Sequence, residues 1–444
     1  MKRILIRETL NKIDQKVKIG GWICTKRDHG KVSFIDLRDR SGLIQIVGYE
    51  GLFSDLTQES VVEIEGLVKK RPDNLVNKDI ETGTIEIEAD KVNLLAKADV
   101  LPFDMAKPDL GLQLPTLLDY RALTLRHPKV AKIFKVQEAI MEGFRRASQE
   151  LGCTEVFVPT ISASATEGGA EVFKIKYYDN QAYLIQSPQL YKQILVPVFE
   201  RVYLVSHAYR SEPSVTTRHL SESIQMDCEF GFVNFNDLLD ALEYIGGEIL
   251  KYVAERNKDI LKEFHVEEPK VGMKIPRIKM RDAQKLIKER TGIDHTNELD
   301  LDPFDERELS KWALEEFGSD LVTVTHYPTK KRAFYTMPDP NNPEYSLSYD
   351  LIYKGLEILS GSQRINNYDQ LVKTIKEKGM DPEDFEMYLQ AFKYGMPPEG
   401  GFSFGLERMT MQILGLGNVR EASLFPRDME RVDFLLSRKN EKEE

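Results

Sequence analysis

The 444-residue sequence contains few cysteines and no long hydrophobic run. Its three cysteines, Cys24, Cys153 and Cys228, lie far apart and cannot form the disulfide framework of a small secreted protein, which favours a reducing cytoplasm. The longest apolar runs are far shorter than the ~20 residues that a membrane-spanning helix needs. The first ten residues lack the apolar core of a secretory signal. These features argue against a secreted mini-protein and against a membrane protein.

The charge of the chain is unevenly distributed. Acidic residues outnumber basic ones by 72 to 61, which gives a net charge of −11. Residues 1–40 nevertheless hold eleven Lys or Arg and five Asp or Glu, a local excess of six positive charges. Because a polyanion responds to local charge rather than to the total, we expect any nucleic-acid site in this segment or in a cleft.

The N-terminal sequence predicts a small β-barrel. Short β-branched or alternating runs, separated by turn residues, predict five strands at 17–23, 31–39, 43–49, 61–70 and 84–95. Five strands with a helix-like gap at 51–59 are typical of an OB-fold, which often binds single-stranded nucleic acid. A barrel that docks other proteins is the alternative. We assign residues 1–100 to this domain and the proline-containing stretch 101–127 to a linker.

The remaining residues, 128–444, predict one large α+β domain. Helical periodicity predicts helices at 130–151, 237–256 and 367–377. Strand-like runs occur at 153–161, 201–205, 225–234 and 348–358. Residues 266–345 mix helices and loops, and we interpret them as an insertion or a flanking lobe.

Four polar segments of this domain carry functional residue types: 166–171, 186–192, 209–219 and a C-terminal set within 357–408. Arginines on strands can hold phosphates in a fixed geometry. Glu357 and Ser360 offer the hard oxygen ligands that Mg²⁺ shares with phosphates. The sequence has no GxxxxGK[ST] loop, no HExxH and no Cys/His cluster with zinc spacing, which excludes a P-loop and the common zinc sites.

These segments resemble the motifs of the class II aminoacyl-tRNA synthetases. Residues 130–161, 209–232 and 401–408 are similar to motifs 1, 2 and 3 of that family. QSPQLYK (186–192) and SGSQR (360–364) resemble the subgroup that charges aspartate, asparagine and lysine. The resemblance implies an OB-fold that binds the anticodon, followed by a catalytic domain built on an antiparallel β-sheet flanked by helices.

The resemblance also implies how ATP is held. Arg210 would hold the α-phosphate and Glu212 would contact the adenine. His219, with Arg218 beside it, would face the terminal phosphates. Arg408 would stack on the adenine and reach the γ-phosphate.

The same resemblance assigns the metal and the amino acid. Glu357, which also belongs to the ATP site, and Ser360 would bind Mg²⁺. Glu167 and Gln189 would hold the ammonium group of the amino acid, and Ser360 is also expected in the amino-acid site.

Further positions follow for the tRNA and for a partner subunit. Arg27, Phe34 and Gln45 of the barrel would read the anticodon, with Phe34 stacking on a base. Pro159, at the end of motif 1, would lie at a homodimer interface.

The choice between aspartate and asparagine depends on two cations. A buried aspartate carboxylate needs cationic partners, which Lys192 and Arg364 supply, and we expect Asp227 to hold one of them in place. Asparagine would leave these cations unpaired. We therefore expect an aspartate–tRNA ligase in which Arg210, Arg364 and Lys192 are the catalytic candidates. An asparagine–tRNA ligase and a non-catalytic paralogue that binds RNA or a partner remain the alternatives.

Three positions depart from the family pattern. Glu399 follows the paired prolines, where the family usually has histidine, and it should repel an aspartate carboxylate unless it points away or pairs with a cation. Ser223 stands where the family usually has a phenylalanine that stacks on adenine. Cys24 stands where enzymes confined to tRNA-Asp often have a large aromatic residue, which favours an enzyme that also charges tRNA-Asn.

Overall fold

The computed structural model describes residues 1–164, 171–213 and 216–436. The chain forms two compact units, with the division between Leu112 and Gln113. This division falls inside the stretch 101–127 that the sequence predicts as a linker. Two short helices near its end, Leu114–Asp119 (α1) and Arg121–Thr124 (α2), belong to the second unit. No helix of the described residues is long and apolar enough to cross a membrane.

The first unit is a closed five-stranded barrel, which confirms the predicted OB-fold. Its strands follow the order β1-β2-β3-β5-β4 around the barrel. The gap at 51–59 forms turns rather than a helix, because Phe53 and Leu56 are drawn into the barrel core. The strand bounds are Lys16–His29 (β1), Val32–Asp39 (β2), Gly42–Tyr49 (β3), Val61–Lys70 (β4) and Ile85–Ala96 (β5).

The second unit contains further strands and helices. The remaining strands are Thr154–Glu155 (β6), Ile161–Ser162 (β7), Lys174–Tyr177 (β8), Asn180–Leu184 (β9), Arg201–Tyr209 (β10), Glu222–Gly231 (β11), Arg277–Lys279 (β12), Leu321–Thr325 (β13), Pro338–Asp339 (β14), Asn342–Ser346 (β15), Ser348–Tyr353 (β16), Leu356–Gln363 (β17) and Glu399–Gly405 (β18). The remaining helices are Pro128–Glu150 (α3), Gln189–Ile194 (α4), Val196–Phe199 (α5), Phe235–Arg256 (α6), Lys258–Glu263 (α7), Met280–Thr291 (α8), Pro303–Phe317 (α9), Tyr368–Glu377 (α10), Glu386–Lys393 (α11) and Leu406–Leu414 (α12).

An eight-stranded sheet of order β12-β13-β16-β17-β18-β11-β10-β6 forms the centre of this unit. Neighbouring strands of this sheet are antiparallel, as the predicted fold class requires, except for the outermost pair at each edge, which is parallel. Three expectations are wrong in detail. Residues 348–358, predicted as one strand, contain all of β16, a turn and the start of β17. Residues 266–345 are not only a flanking lobe, because they supply β12 and β13 to the sheet. The strand predicted at 153–161 is interrupted: it contains β6 and the first residue of β7, and Pro159, which has no N–H to donate to a ladder, lies between them.

The strands at the centre of the sheet have two different faces. On β11, Met226, Cys228 and Phe230 join the large core cluster beneath helices α3 and α6. Asp227 and Glu229 alternate with them and point to the opposite face, because successive side chains of a strand point to opposite sides. One strand therefore contributes both to the apolar core and to a buried polar surface.

Candidate active site

Polar residues stand side by side across three neighbouring strands. Asp227 on β11 is paired with Ser403 on β18, which is paired with Ser360 on β17. In the next row Glu229 is paired with Gly401. A Cβ atom at Gly401 would collide with the Glu229 carboxylate, so glycine at this position makes room for a buried acid.

A cavity of about 310 Å³ lies over this face of the sheet. Most of the residues that the sequence predicts for ATP, metal and amino acid line it. They are Gln189, Lys192, Arg210, Glu212, Arg218, His219, Asp227, Glu357, Ser360, Arg364 and Arg408. Ser223 lines the cavity as well, whereas Glu167 lies outside the described residues.

A buried set of ion pairs forms one end of the cavity, which we call the inner end. The Lys192 side chain on α4 is only 1% exposed; its Nζ donates to Asp227 Oδ1 at 2.9 Å and lies 3.0 Å from Glu229 Oε2. Arg364, directly after β17, donates from Nε to Glu229 Oε1 at 2.8 Å and from Nη2 to Gln189 Oε1 at 3.2 Å. Four predicted side chains from three segments of the chain therefore meet here.

The charges of this inner end balance within the protein. Burial opposes the charge on Lys192, but Asp227 and Glu229 raise its pKa above the usual value. Burial likewise opposes the charge on Glu229, yet Arg364 and Lys192 lower its pKa. The expectation that asparagine would leave both cations unpaired is wrong, because Asp227 and Glu229 already pair them.

Glu399 does not line the cavity with these groups. Its side chain is fully buried, and its Oε1 accepts a hydrogen bond from Gln193 Nε2 at 2.6 Å. Its main-chain carbonyl accepts from the Arg364 N–H at 2.9 Å. The glutamate therefore points away from the cavity, one of the two conditions under which it would not directly oppose an aspartate.

The other end of the cavity, the outer end, is richer in arginine, and the contacts of Glu212 there are looser than those of the inner end. Arg210 Nη1 lies 3.9 Å from Glu212 Oε1, and His219 Nε2 lies 3.7 Å from Glu212 Oε2. Arg218 donates to Glu306 Oε2 at 2.7 Å. Burial and then the positive charge of a nearby arginine lower the pKa of His219, so the imidazole is neutral at physiological pH. These groups can adjust to a polyphosphate.

Oxygen ligands for a metal ion lie beside this end. Asp350 on β16 is the cross-strand partner of Ser360, and its Oδ2 accepts from Arg332 Nη2 at 2.7 Å. Its other oxygen, Oδ1, is buried and accepts no hydrogen bond from the described residues. Burial and the charge of Asp350 raise the pKa of Glu357 to about 7. A divalent cation fits this set, because it would bind the orphaned oxygen and compensate the crowded carboxylates.

The predicted anticodon residues lie together on the outer surface of the barrel. Arg27 on β1 is paired with Phe34 on β2, and Asp36 on β2 is paired with Gln45 on β3. Arg27 Nη2 donates to Asp36 Oδ1 at 3.1 Å and to Gln45 Oε1 at 3.4 Å. Phe34 is half-buried and is not part of the barrel core, which contains its neighbour Ile35. Its ring contacts that of His29 edge-on, with the centroids 5.8 Å apart.

Sequence reasoning missed several residues that hold the site together. Glu229 follows Asp227 by two positions on a strand, and this period-two spacing could have placed it on the same face. Asp350 alternates with apolar residues in a strand that the sequence did predict. Gln193, Arg332 and Glu306 carry no local signal, because their partners are distant in sequence.

Residues 113–429 match the family model described as tRNA synthetases class II (D, K and N), which covers more than half of the chain. The chain belongs to this family. The resemblance predicted from the four segments is thereby confirmed. Residues 17–95 match the model of the OB-fold nucleic acid binding domain.

Similar proteins extend over nearly the whole chain. An aspartate–tRNA(Asp/Asn) ligase of Thermus thermophilus is 40% identical over 97% of this chain and 99% of its own length. An aspartate–tRNA(Asp) ligase of Pyrococcus abyssi is 38% identical over 96% of this chain and 98% of its own. The crystal structure of asparaginyl-tRNA synthetase from Pyrococcus horikoshii with asparaginyl-adenylate matches with a TM-score of 0.88 and 31% identity, covering 97% of this chain and 99% of that one.

The inner ion pairs predict the effect of removing Lys192. Lys192→Met removes the buried cation that pairs with Asp227. Breaking such a pair lowers the free energy of unfolding by about 3–5 kcal/mol. We expect the free energy of unfolding in urea to fall by this amount, and Lys192→Met combined with Asp227→Asn to recover part of it. Lys251→Met, which removes an exposed pair with Glu248, is the control and should cost less than about 1 kcal/mol. Equal losses in the two single variants would contradict the buried pairing.

Proposed function

We propose that this chain is an aspartate–tRNA ligase, which activates L-aspartate with ATP and transfers it to the 3′ end of tRNA. The observation that carries the ligase reaction is one cavity that joins a buried amino-acid end to an arginine-rich end. The curated relatives at 38–40% identity, which are named as aspartate ligases, support it. Asparagine is the second candidate substrate, because the inner charges are balanced and a similar structure holds asparaginyl-adenylate.

The first chemical step joins the amino acid to the nucleotide. An oxygen of the aspartate α-carboxylate attacks the α-phosphorus of ATP in line, and the bond to pyrophosphate breaks. Arg210 would hold the α-phosphate, while His219 and Arg408 would face the terminal phosphates at the outer end. Gln189 would orient the ammonium group, so that positioning and charge neutralisation lower the barrier.

Glu357, Ser360 and Asp350 would hold Mg²⁺. When bound, this ion neutralises negative charge on the phosphate oxygens. Asp350 is added to the pair expected from the sequence because its Oδ1 accepts no hydrogen bond from the described residues.

The second step transfers the aspartyl group to tRNA. A hydroxyl of the terminal ribose attacks the carbonyl carbon of the adenylate, and AMP leaves with the bonding electrons. This step needs no nucleophile from the protein. The enzyme would work in the cytoplasm, where the free thiols of Cys24, Cys153 and Cys228 persist.

The tRNA range is proposed to include tRNA-Asn as well as tRNA-Asp. Cys24 on β1 is small and half-buried, and its Sγ lies 3.7 Å from Arg38 Nη1. Burial raises the pKa of this thiol to about 11, so that it adds no charge to the barrel surface. The Thermus thermophilus relative is named for both tRNAs.

Aminoacylation of tRNA-Asp and tRNA-Asn transcripts with labelled aspartate, and separately with labelled asparagine, tests substrate and range together. We expect aspartate on both transcripts and no asparagine on either. Aspartate on tRNA-Asp alone would contradict the wider range. Charging with asparagine would replace the first candidate by the second, and no charging at all would favour a non-catalytic paralogue.

The barrel surface predicts a separable defect in tRNA binding. Phe34→Ala removes a ring that would stack on a base, a contact worth about 1–3 kcal/mol. We expect the KM for tRNA to rise about tenfold while ATP–pyrophosphate exchange with aspartate is unchanged. Phe34→Tyr keeps the ring and serves as the matched control. Equal losses in both assays would assign Phe34 to the stability of the barrel.

We also propose a homodimer through the edge of the sheet that carries β6. The Phe157 side chain, two residues beyond β6, is 87% exposed, and Ile161 is 41% exposed, with Pro159 between them. Exposed apolar groups beside an edge strand are a common feature of interaction surfaces.

Sedimentation of the purified protein tests this interface. Phe157→Asp places a charge in the proposed contact, and we expect it to convert a dimer into a monomer. Tyr394→Asp, at a side chain that is 79% exposed in a different part of the unit, is the matched control and should remain dimeric. A monomeric wild-type protein would contradict the proposal.

A further inference from the structure

Glu399 is a buried acid that the proposed reaction does not use. It begins β18, two residues before Gly401, and none of its side chain is exposed. Gln193 donates to its Oε1, while Oε2 receives no hydrogen bond from the described residues. Its acidic neighbour is Glu229, whose Oε1 accepts from Arg364 Nε at 2.8 Å. Two carboxylates have only acceptor oxygens, so a hydrogen bond between them requires a proton.

Titratable groups face Glu399 from every element packed against it. Glu229 of β11 and Arg364 after β17 are the nearest charges. The hydroxyl of Tyr388 on α11 donates to Gln193, and that of Tyr349 on β16 donates to the Gly401 carbonyl. The hydroxyl protons of both tyrosines are used in these hydrogen bonds, so neither tyrosine donates to Oε2 of Glu399.

The remaining charges are already matched. Lys192 pairs with Asp227 and Glu229, and Arg364 pairs with Glu229. An ionised Glu399 would add a third carboxylate to two cations. Burial and then the charge of Glu229 raise the pKa of Glu399 well above its usual value.

We propose that Glu399 is a positioning residue that carries a proton, which it donates to Glu229, and that this proton makes the inner end of the cavity accept the aspartate side chain. The inference rests on the proposed function. With the proton in place, the inner end is neutral, and the substrate carboxylate adds one negative charge. When Glu399 is ionised, the same substrate meets an excess of negative charge and binds more weakly.

The sign of the pH dependence follows from this linkage. Aspartate binds better to the protonated form, so its KM should rise as the pH rises through the pKa of Glu399, and binding should take up protons there. The KM for ATP, which is bound at the outer end, should not follow the same curve. Glu399→Gln keeps the shape of the side chain and a hydrogen-bond donor at its end, but the amide cannot ionise.

The experiment measures the KM for aspartate in ATP–pyrophosphate exchange from about pH 6.5 to about pH 9. We expect the wild-type KM to rise about tenfold and that of Glu399→Gln to stay level. Glu243→Gln, a carboxylate that binds Arg277 and Thr323 and does not line the cavity, is the control and should follow the wild type.

Parallel profiles in wild type and Glu399→Gln, or a level wild-type profile, would overturn the role of Glu399 while leaving aspartate activation intact. Absence of aspartate activation in the wild type at neutral pH would instead overturn the proposed function and this inference with it. If Glu399→Gln does not fold, calorimetry of aspartate binding to the wild type in buffers of different ionisation enthalpy remains decisive. Proton uptake on the alkaline side is expected, and none would overturn the proposal.

Discussion

The structure of the second unit depends on the pairing of buried positive and negative side chains at the inner end of the cavity. Lys192 and Arg364 can be sequestered from water only because Asp227 and Glu229 meet them at 2.8–3.0 Å. Replacing such a set by hydrocarbon side chains would often be neutral for stability or even favourable. Net stability therefore does not account for this set, and we attribute it to the amino-acid recognition proposed above.

The two ends of the cavity differ in how tightly their side chains are held. At the inner end the side chains are buried and closely paired, which fixes the geometry that a small amino acid meets. At the outer end Arg210 and His219 lie 3.7–3.9 Å from Glu212, leaving these groups able to turn toward phosphates. A rigid recognition end and an adaptable phosphate end suit a reaction in which one substrate must be selected and the other mainly neutralised.

Much of this could be predicted from the sequence. Periodicity is a local signal and predicted the five barrel strands and the long helices α3 and α6. Many of the residues lining the cavity were predicted through the resemblance of short motifs to those of the family. The predictions failed where contacts between residues far apart in sequence determine the local structure. The segment 51–59 is shaped by the barrel core that Phe53 enters, and β12 and β13 join a sheet formed mainly by other parts of the chain. The period-two spacing could have placed Glu229 on the same face as Asp227, but its pairing with Lys192 depends on how α4 packs against β11, which is not a local signal.

The alternation along β11 has a consequence for how the protein acquires its structure. A shift of one residue in the pairing would turn Asp227 and Glu229 into the hydrocarbon core and expose Met226, Cys228 and Phe230 to the polar side. The alternation of acidic and apolar side chains on β11 therefore also determines the alignment of this strand. A chain with the shifted register would have to bury two carboxylates among hydrocarbon side chains, which is strongly unfavourable.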